Sequence, residues 1–391
     1  MRCSKLNYFD KFRNLKDSKI SIFSISTILN NLIGAIFWFL IASIVGTQSY
    51  GEIAYFLAIA TIASKIASLG SGNALLVYVP KGIRIQPPLF ISTIFSSLLT
   101  AIIVYTMIVQ KSEISLFIIG FVIFNLIIND VLGKKDYQKF TKYIILQKIL
   151  LLIGGFGFYY IIGIDGVILG IGLSYICFIF PVIKKIKHSK IDFSILLDKK
   201  KFLINNYISE LIGAFNGTLD KILIAPLFGF VLLGNFQLSQ QFINIFLLLP
   251  TIMFQFILPH ESAKDFKPKI KKIIFLVSIL GNIGIFFLSP VIIEKFFIQY
   301  DKSIEIIQVL SFQLVPYSIV TLLTSKFLAF EKSKIPLVGM MLFLISEISL
   351  IFILKDMFGI MGVAFAIILG ESIFAIYLLI MNKLVKFDIS K

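Results

Sequence analysis

Lys65, Glu210, Asp220, Lys221, Glu347 and Glu371 stand inside runs that are otherwise rich in Ile, Leu, Phe and Gly. A charged side chain near the centre of a membrane helix costs about 2.5–3.5 kcal/mol. Six of them facing lipid would cost on the order of 15 kcal/mol, above the net stability of about 5–15 kcal/mol of a typical fold. They must face protein or water. Ion pairing between helices is the plainer role, and lining a hydrated cavity is the functional one; a span that ends nearer the interface than its pattern suggests is the third reading. A lysine is a point-charge partner for anions, and a desolvated carboxylate can bind and release a proton or Na⁺. Glu210, Asp220, Glu347 and Glu371 are thus the candidates for a coupling ion. Lys148 and Lys326 differ, because each lies within snorkelling reach of an interface.

The elements that must position these residues follow from composition. Of 391 residues 58% are apolar, 41 are Phe and only 15% are charged. Such a chain has more apolar side chains than a soluble domain of that length buries. The apolar runs, roughly 18–26 residues each, match a hydrocarbon core of roughly 30 Å at 1.5 Å of helical rise per residue. Strands of alternating pattern are absent, which disfavours a barrel. The fold class is all-α integral membrane.

Twelve spans are predicted, at about 20–45, 52–79, 88–109, 114–133, 142–162, 164–183, 203–228, 231–258, 271–290, 305–330, 335–354 and 359–382. Placing both termini in the cytoplasm puts 29 of the 37 basic residues in cytoplasmic segments, as the positive-inside rule requires. The groups include Lys81 and Arg84; Lys134, Lys135, Lys139 and Lys142; seven lysines from Lys184 to Lys201; and Lys332 and Lys334. Lys111, Lys295, Lys302 and Lys355 fall outside. The net charge of +16 is then mostly topological and attracts anionic membrane lipids. No loop is long enough to fold alone, which argues against nucleic-acid binding. The polar, basic start of the chain reads as a retained cytoplasmic segment with no secretion signal. Cys3 and Cys177 are too far apart in kind and place to suggest a disulfide or a metal site.

The basic linker KKIKHSKIDFSILLDKKK divides the spans six and six, which prompts a search for a repeat. IASIVGTQSYGEI from Ile41 and IAPLFGFVLLGNF from Ile224 align at an offset of 183, pairing Gly46 with Gly229 and Gly51 with Gly234. GIDGV from Gly163 pairs with GIMGV from Gly359 at an offset of 196. An extra 13 residues fit a longer outer loop around Pro290 to Glu305. The domain reading is a basic N-terminal segment 1–19, a six-helix lobe 20–183, a basic linker 184–202, a second lobe 203–382 and a tail 383–391. These are about 12 transmembrane helices in two pseudo-repeated lobes around a central cavity.

Six plus six spans, glycine-spaced turns after the first span of each half, a Gly-Ile-x-Gly-Val turn before the last span of each half and a basic central linker resemble one family. It is the polysaccharide-exporter branch of the multidrug, oligosaccharidyl-lipid and polysaccharide exporter superfamily, especially the O-antigen flippases. The likeness covers essentially the whole chain and lies in placement, not in a diagnostic string. It implies a V-shaped transporter of a bacterial inner membrane. That transporter would move undecaprenyl-pyrophosphate-linked oligosaccharide to the outer leaflet by alternating access, in contact with glycan polymerase machinery. The chain departs from the family in having no arginine within any span, so a cavity cation must be lysine.

On one unbroken helix, Asn206, Glu210, Gly213, Gly217 and Lys221 lie within about 40° of one line, with Asp220 roughly 80° aside. The corresponding stripe of the first span is Ser24, Thr27, Asn31, Ala35 and Trp38, with the offset of 183 setting Thr27 against Glu210 and Trp38 against Lys221. Thr61, Lys65, Ser68 and Gly72 form another polar face. Lys65 and Lys221 are expected to meet phosphate, Asn30, Asn31, Asn206 and Asn216 to meet sugar, and Trp38 to line the same space. No motif calls for a cofactor or metal, and neither a phosphate-binding loop, HExxH nor GxSxG occurs. His188 and His260 read as loop or interfacial residues. A membrane glycan polymerase or glycosyltransferase would need a larger, arginine-bearing outer loop. A cation-coupled multidrug exporter stays open, because acids outnumber lysines among the six.

Overall fold

The computed structural model describes residues 19–187, 191–262 and 268–385, and among these every regular element is helical, with no strand. Cys3, His188 and most of the terminal basic segments lie outside the described residues, as do the side chains of Ser24 and His260. Eleven helices are long and apolar enough to cross a membrane. The first of these, Ser26–Ser68, is 43 residues long, about 65 Å at 1.5 Å per residue and so about twice the hydrocarbon thickness. It is broken at Gly46 (φ 77°, ψ 171°), so it consists of two helices joined at a kink, each short enough to be a separate span. Among the described residues this gives eleven or twelve long apolar segments, consistent with the all-α membrane fold expected.

The helices in chain order are α1 Lys19–Ser68, α2 Ser71–Tyr78, α3 Gln86–Ile103, α4 Ser112–Gly133, α5 Tyr137–Ile162, α6 Ile164–Ile176, α7 Ile179–Lys187 and α8 Ser194–Asp198. They continue with α9 Lys200–Phe215, α10 Leu219–Phe228, α11 Phe230–Ser262, α12 Pro268–Phe296, α13 Ser303–Leu310, α14 Leu314–Ala329, α15 Lys334–Phe358 and α16 Ile360–Leu384. Several expected spans are each built from two helices. The run 52–79 breaks at Leu69 and Gly70, both at positive φ, and 164–183 breaks between α6 and α7. The run 203–228 breaks in the turn at residues 216–218. The expected outer loop from Pro290 begins later, because α12 continues through that proline to Phe296.

The described residues fall into two compact units. The first holds those up to Phe37 together with Ile59–Ala214, and the second holds Trp38–Ala58 and Phe215 onward. Inside the first, Leu75, Ile85, Phe90, Ile127 and Val182 belong to one buried apolar cluster. In the second, Val320, Phe327, Phe343, Phe374 and Leu378 form another.

The repeat is written in the backbone. Gly46 (φ 77°, ψ 171°) and Gly229 (φ 84°, ψ 169°) share one conformation, in a region only glycine visits freely. Five residues on, two helices cross at van der Waals limits: a Cβ on Gly51 would sit 2.0 Å from the Phe230 carbonyl oxygen, and one on Gly234 would sit 1.9 Å from that of Thr47. Both contacts obey the offset of 183. At the offset of 196, Gly163 (φ 73°) matches Gly359 (φ 57°), and added Cβ atoms on Gly166 and Gly362 would meet the carbonyl oxygens of Phe158 and Leu354.

Candidate functional site

The break after Phe215 decides where the charged candidates go. With α9 ending there and α10 starting at Leu219, the stripe from Asn206 to Lys221 is not continuous. Glu210 belongs to the first unit, and Asp220 and Lys221 to the second. The physical cause is the dipeptide Asn216-Gly217, a strong turn signal that reads as a small polar face when a helix is assumed.

In the second unit, one face from each of several helices lines a cavity of about 610 Å³. Asp220 and Lys221 come from the first turn of α10, Gln240, Asn244 and Thr251 from α11, and Tyr317, Thr321 and Thr324 from α14. Glu347 comes from the middle of α15 and Glu371 from the middle of α16. The spacings 240/244/251, 317/321/324 and 367/371/374 keep each set on one helical face. Asp220, Glu347 and Glu371 are all buried, so they avoid lipid as their charge cost demands. Asp220 accepts from the Lys221 backbone N–H at 2.9 Å, and its carboxylate lies 3.8 Å from the Lys221 ammonium. The ammonium donates to the Gly217 carbonyl at 3.0 Å.

Four buried polar atoms on this wall have no hydrogen-bond partner among the described residues: Asn216 Oδ1, Gln313 Oε1, Thr324 Oγ1 and Glu347 Oε2. An unmade hydrogen bond on a buried polar atom costs about 1–3 kcal/mol. Such atoms suit a polar or charged guest. Among the described residues no three His, Cys, Asp or Glu side chains converge on one metal position. The neighbours that the cavity gives these carboxylates are amides, hydroxyls and Lys221.

The first unit carries a second polar group. Glu210 accepts from Ser68 Oγ at 3.1 Å. A Cβ on Gly72 would stand 3.2 Å from Glu210 Oε1 and 3.3 Å from Asn129 Nδ2, so the glycine leaves room for both. Lys65, one turn before Ser68, holds its ammonium 6.0 Å from the centre of the Phe121 ring. Asn206 turns back on its own helix, donating to the Phe202 carbonyl. Asn30 and Asn31 are half-buried on α1, and one turn further on the Lys148 ammonium would lie 3.3 Å from a Cβ on Gly34. Lys148 is half-buried. Trp38 sits edge-to-face against Tyr50, with ring centroids 6.3 Å apart, and is not part of the cavity wall.

Of the expected residues, Asn216, Asp220, Lys221, Glu347 and Glu371 come together in one cavity, and Lys65, Asn206 and Glu210 lie in the other unit. Sequence reasoning missed Gln240, Asn244, Gln313 and Tyr317, whose only signal was helical spacing of polar groups in an apolar run. Besides the Asp220–Lys221 contact, ion pairs also form away from this cavity. Buried Glu261 pairs with Lys271 and accepts from Ser325 at 2.8 Å, and Lys111 pairs with Asp165.

Comparison with solved structures places this architecture. An inward-facing multidrug resistance MATE family transporter of the MOP superfamily superposes with a TM-score of 0.72 at 13% identity, covering 91% of this chain and 93% of that one. The lipid II flippase MurJ in an inward closed conformation gives 0.75 at 19% identity, covering 92% and 87%. An outward-facing MATE transporter gives 0.63 at 15%, covering 94% and 95%. The chain has the fold of these transporters. No family model matches the chain, and no curated protein does. The neighbours are transporters and a flippase, not enzymes.

Proposed function

We propose that this chain is an alternating-access transporter of a bacterial inner membrane that carries an oligosaccharide linked to a lipid pyrophosphate, with cation binding at cavity carboxylates as the drive. The supporting observation is the wall of the cavity in the second unit. It offers four primary amides (Asn216, Gln240, Asn244, Gln313) and the hydroxyls of Thr251, Tyr317, Thr321 and Thr324 beside Lys221. Sugar hydroxyls leaving water need such partners, and Lys221 supplies a phosphate-compatible charge. Asp220, Glu347 and Glu371 then serve H⁺ or Na⁺. Neighbours named as a lipid II flippase and as multidrug transporters fit a carrier of either kind.

One observation favours the second reading, a cation-coupled multidrug exporter: three carboxylates face one lysine in that cavity. Reconstitution separates the two. In proteoliposomes the flippase reading expects flipping of a fluorescent undecaprenyl-pyrophosphate oligosaccharide, lowered at least tenfold by Lys221→Gln and restored by Lys221→Arg. The exporter reading expects transport of a lipophilic cation that Lys221→Gln leaves intact. Wild-type glycolipid flipping by Lys221→Gln would sink the phosphate role of Lys221.

A further inference from the structure

A separate cavity of about 730 Å³ lies at one end of the first unit. Four segments build it: the loop before α3 with Arg84, the α3 start with Gln86 and Pro87, the α4–α5 junction with Lys134, Lys139 and Tyr143, and α7 with Phe180, Pro181, Lys184 and Lys185. Five of these residues are cationic. Beneath them the Asp130 side chain is fully buried (0% exposed). It pairs with Lys185, lies 3.4 Å from Lys134 and accepts from Gln86 at 3.3 Å. That carboxylate fixes the floor and offsets part of the charge of a lining that carries five cations.

Bulk attraction of surface lysines to a membrane needs no such floor. A buried acid that holds three of the lining side chains in place marks a shaped site. The other wall is apolar: Phe180 is 75% exposed beside the cations, and Pro181 and Tyr143 adjoin it. Inorganic phosphate would use the charge and leave Phe180 idle, whereas a phospholipid uses both. Anionic head groups bind basic pockets at the cytoplasmic ends of membrane helices, and the charge rule assigns Arg84, Lys134, Lys139, Lys184 and Lys185 to that side.

We propose that this cavity is a binding site for the phosphodiester head group of an anionic phospholipid of the cytoplasmic leaflet, with Arg84 and Lys139 at the phosphate and Phe180 against the proximal acyl carbons. The site is independent of the cargo. The test uses the full chain purified in detergent and titrated with short-chain phosphatidylglycerol, short-chain phosphatidylcholine or inorganic phosphate, with bound species counted by native mass spectrometry. Phosphatidylglycerol should bind best. Arg84→Gln and Lys139→Gln, both at exposed positions, should each weaken it about fivefold, and Phe180→Ser should weaken the lipid but not phosphate. Lys332→Gln, a lysine of the second unit that is not among the cavity's lining residues, should change nothing. Unaltered melting of each variant without lipid shows that the fold is kept. Equal binding of phosphatidylcholine, or an equal loss with Lys332→Gln, would overturn the site. Phosphate binding as tight as the lipid, with Phe180→Ser silent, would overturn the lipid and leave only an anion.

Discussion

Two buried glutamates differ in what surrounds them, and the proposed coupling role falls on only one of them. Glu347 is 3% exposed and lines the cavity, its Oε2 without a hydrogen-bond partner among the described residues, whereas Glu261 is 2% exposed and held by Lys271 and Ser325. Glutamine keeps the shape and removes the charge. Glu347→Gln should fold and melt as the parent does, yet lose the response of transport to an imposed pH or Na⁺ gradient. Glu261→Gln strands the Lys271 ammonium. Breaking a buried pair costs about 3–5 kcal/mol, and here less, because Lys271 is partly exposed; expression and melting temperature should fall while gradient dependence survives. Thermal melts and proteoliposome flux on both variants check this, and exchanged phenotypes would reverse the assignment. Glu347, Asp220 and Glu371 were legible in the sequence because a charge in an apolar run is expensive. Gln240 and Asn244 were not, since a neutral amide costs less and draws no attention until its neighbours on other helices are known.

At the scale of elements, helix type and span were legible, and breaks were not. Hydropathy reports whether a run can cross the bilayer, but it is blind to a two-residue turn inside that run. Leu69-Gly70 and Asn216-Gly217 were absorbed into apolar runs for this reason, and the second error joined Glu210 to Lys221 on one face. The glycine pairs, by contrast, carried real geometric information. With a Cβ at Gly234 only 1.9 Å from the Thr47 carbonyl, and one at Gly51 only 2.0 Å from that of Phe230, backbone would have to move against backbone. Gly234→Ala and Gly51→Ala should each destabilise by about 1–3 kcal/mol, as overpacking does. Gly284, in the middle of α12 with nothing within 4 Å of an added Cβ, is the control. Its alanine variant should be neutral or stabilised by up to about 1 kcal/mol through helix propensity. Denaturation midpoints in one detergent decide it, and a tolerant Gly234 would mean that the crossing opens at little cost.

At the scale of the whole molecule, the distribution of lysine predicts an orientation, by the positive-inside rule, that helix packing alone does not. The chain carries its basic residues in alternate connections, and in the first unit three of those connections bring Arg84, Lys134, Lys139, Lys184 and Lys185 to one cavity. Segments that the charge rule puts on one side thus meet at one end of that unit. Lys111 and Asp165, from the connections assigned to the other side, pair with each other. In a background with Cys3 and Cys177 replaced by Ser, single cysteines at Gln110, Lys302 and Asp356 should react with a membrane-impermeant maleimide in intact cells. Cysteines at Lys135 and Lys332 should react only after the membrane is opened. The reverse pattern would put the basic cavity in the outer leaflet and remove the argument for a cytoplasmic-leaflet lipid. A mixed pattern would mean that one connection has been miscounted. The break at Gly46 would then be the first place to look, because a single 43-residue helix counts as two crossings only if the chain passes through the bilayer on each side of that glycine.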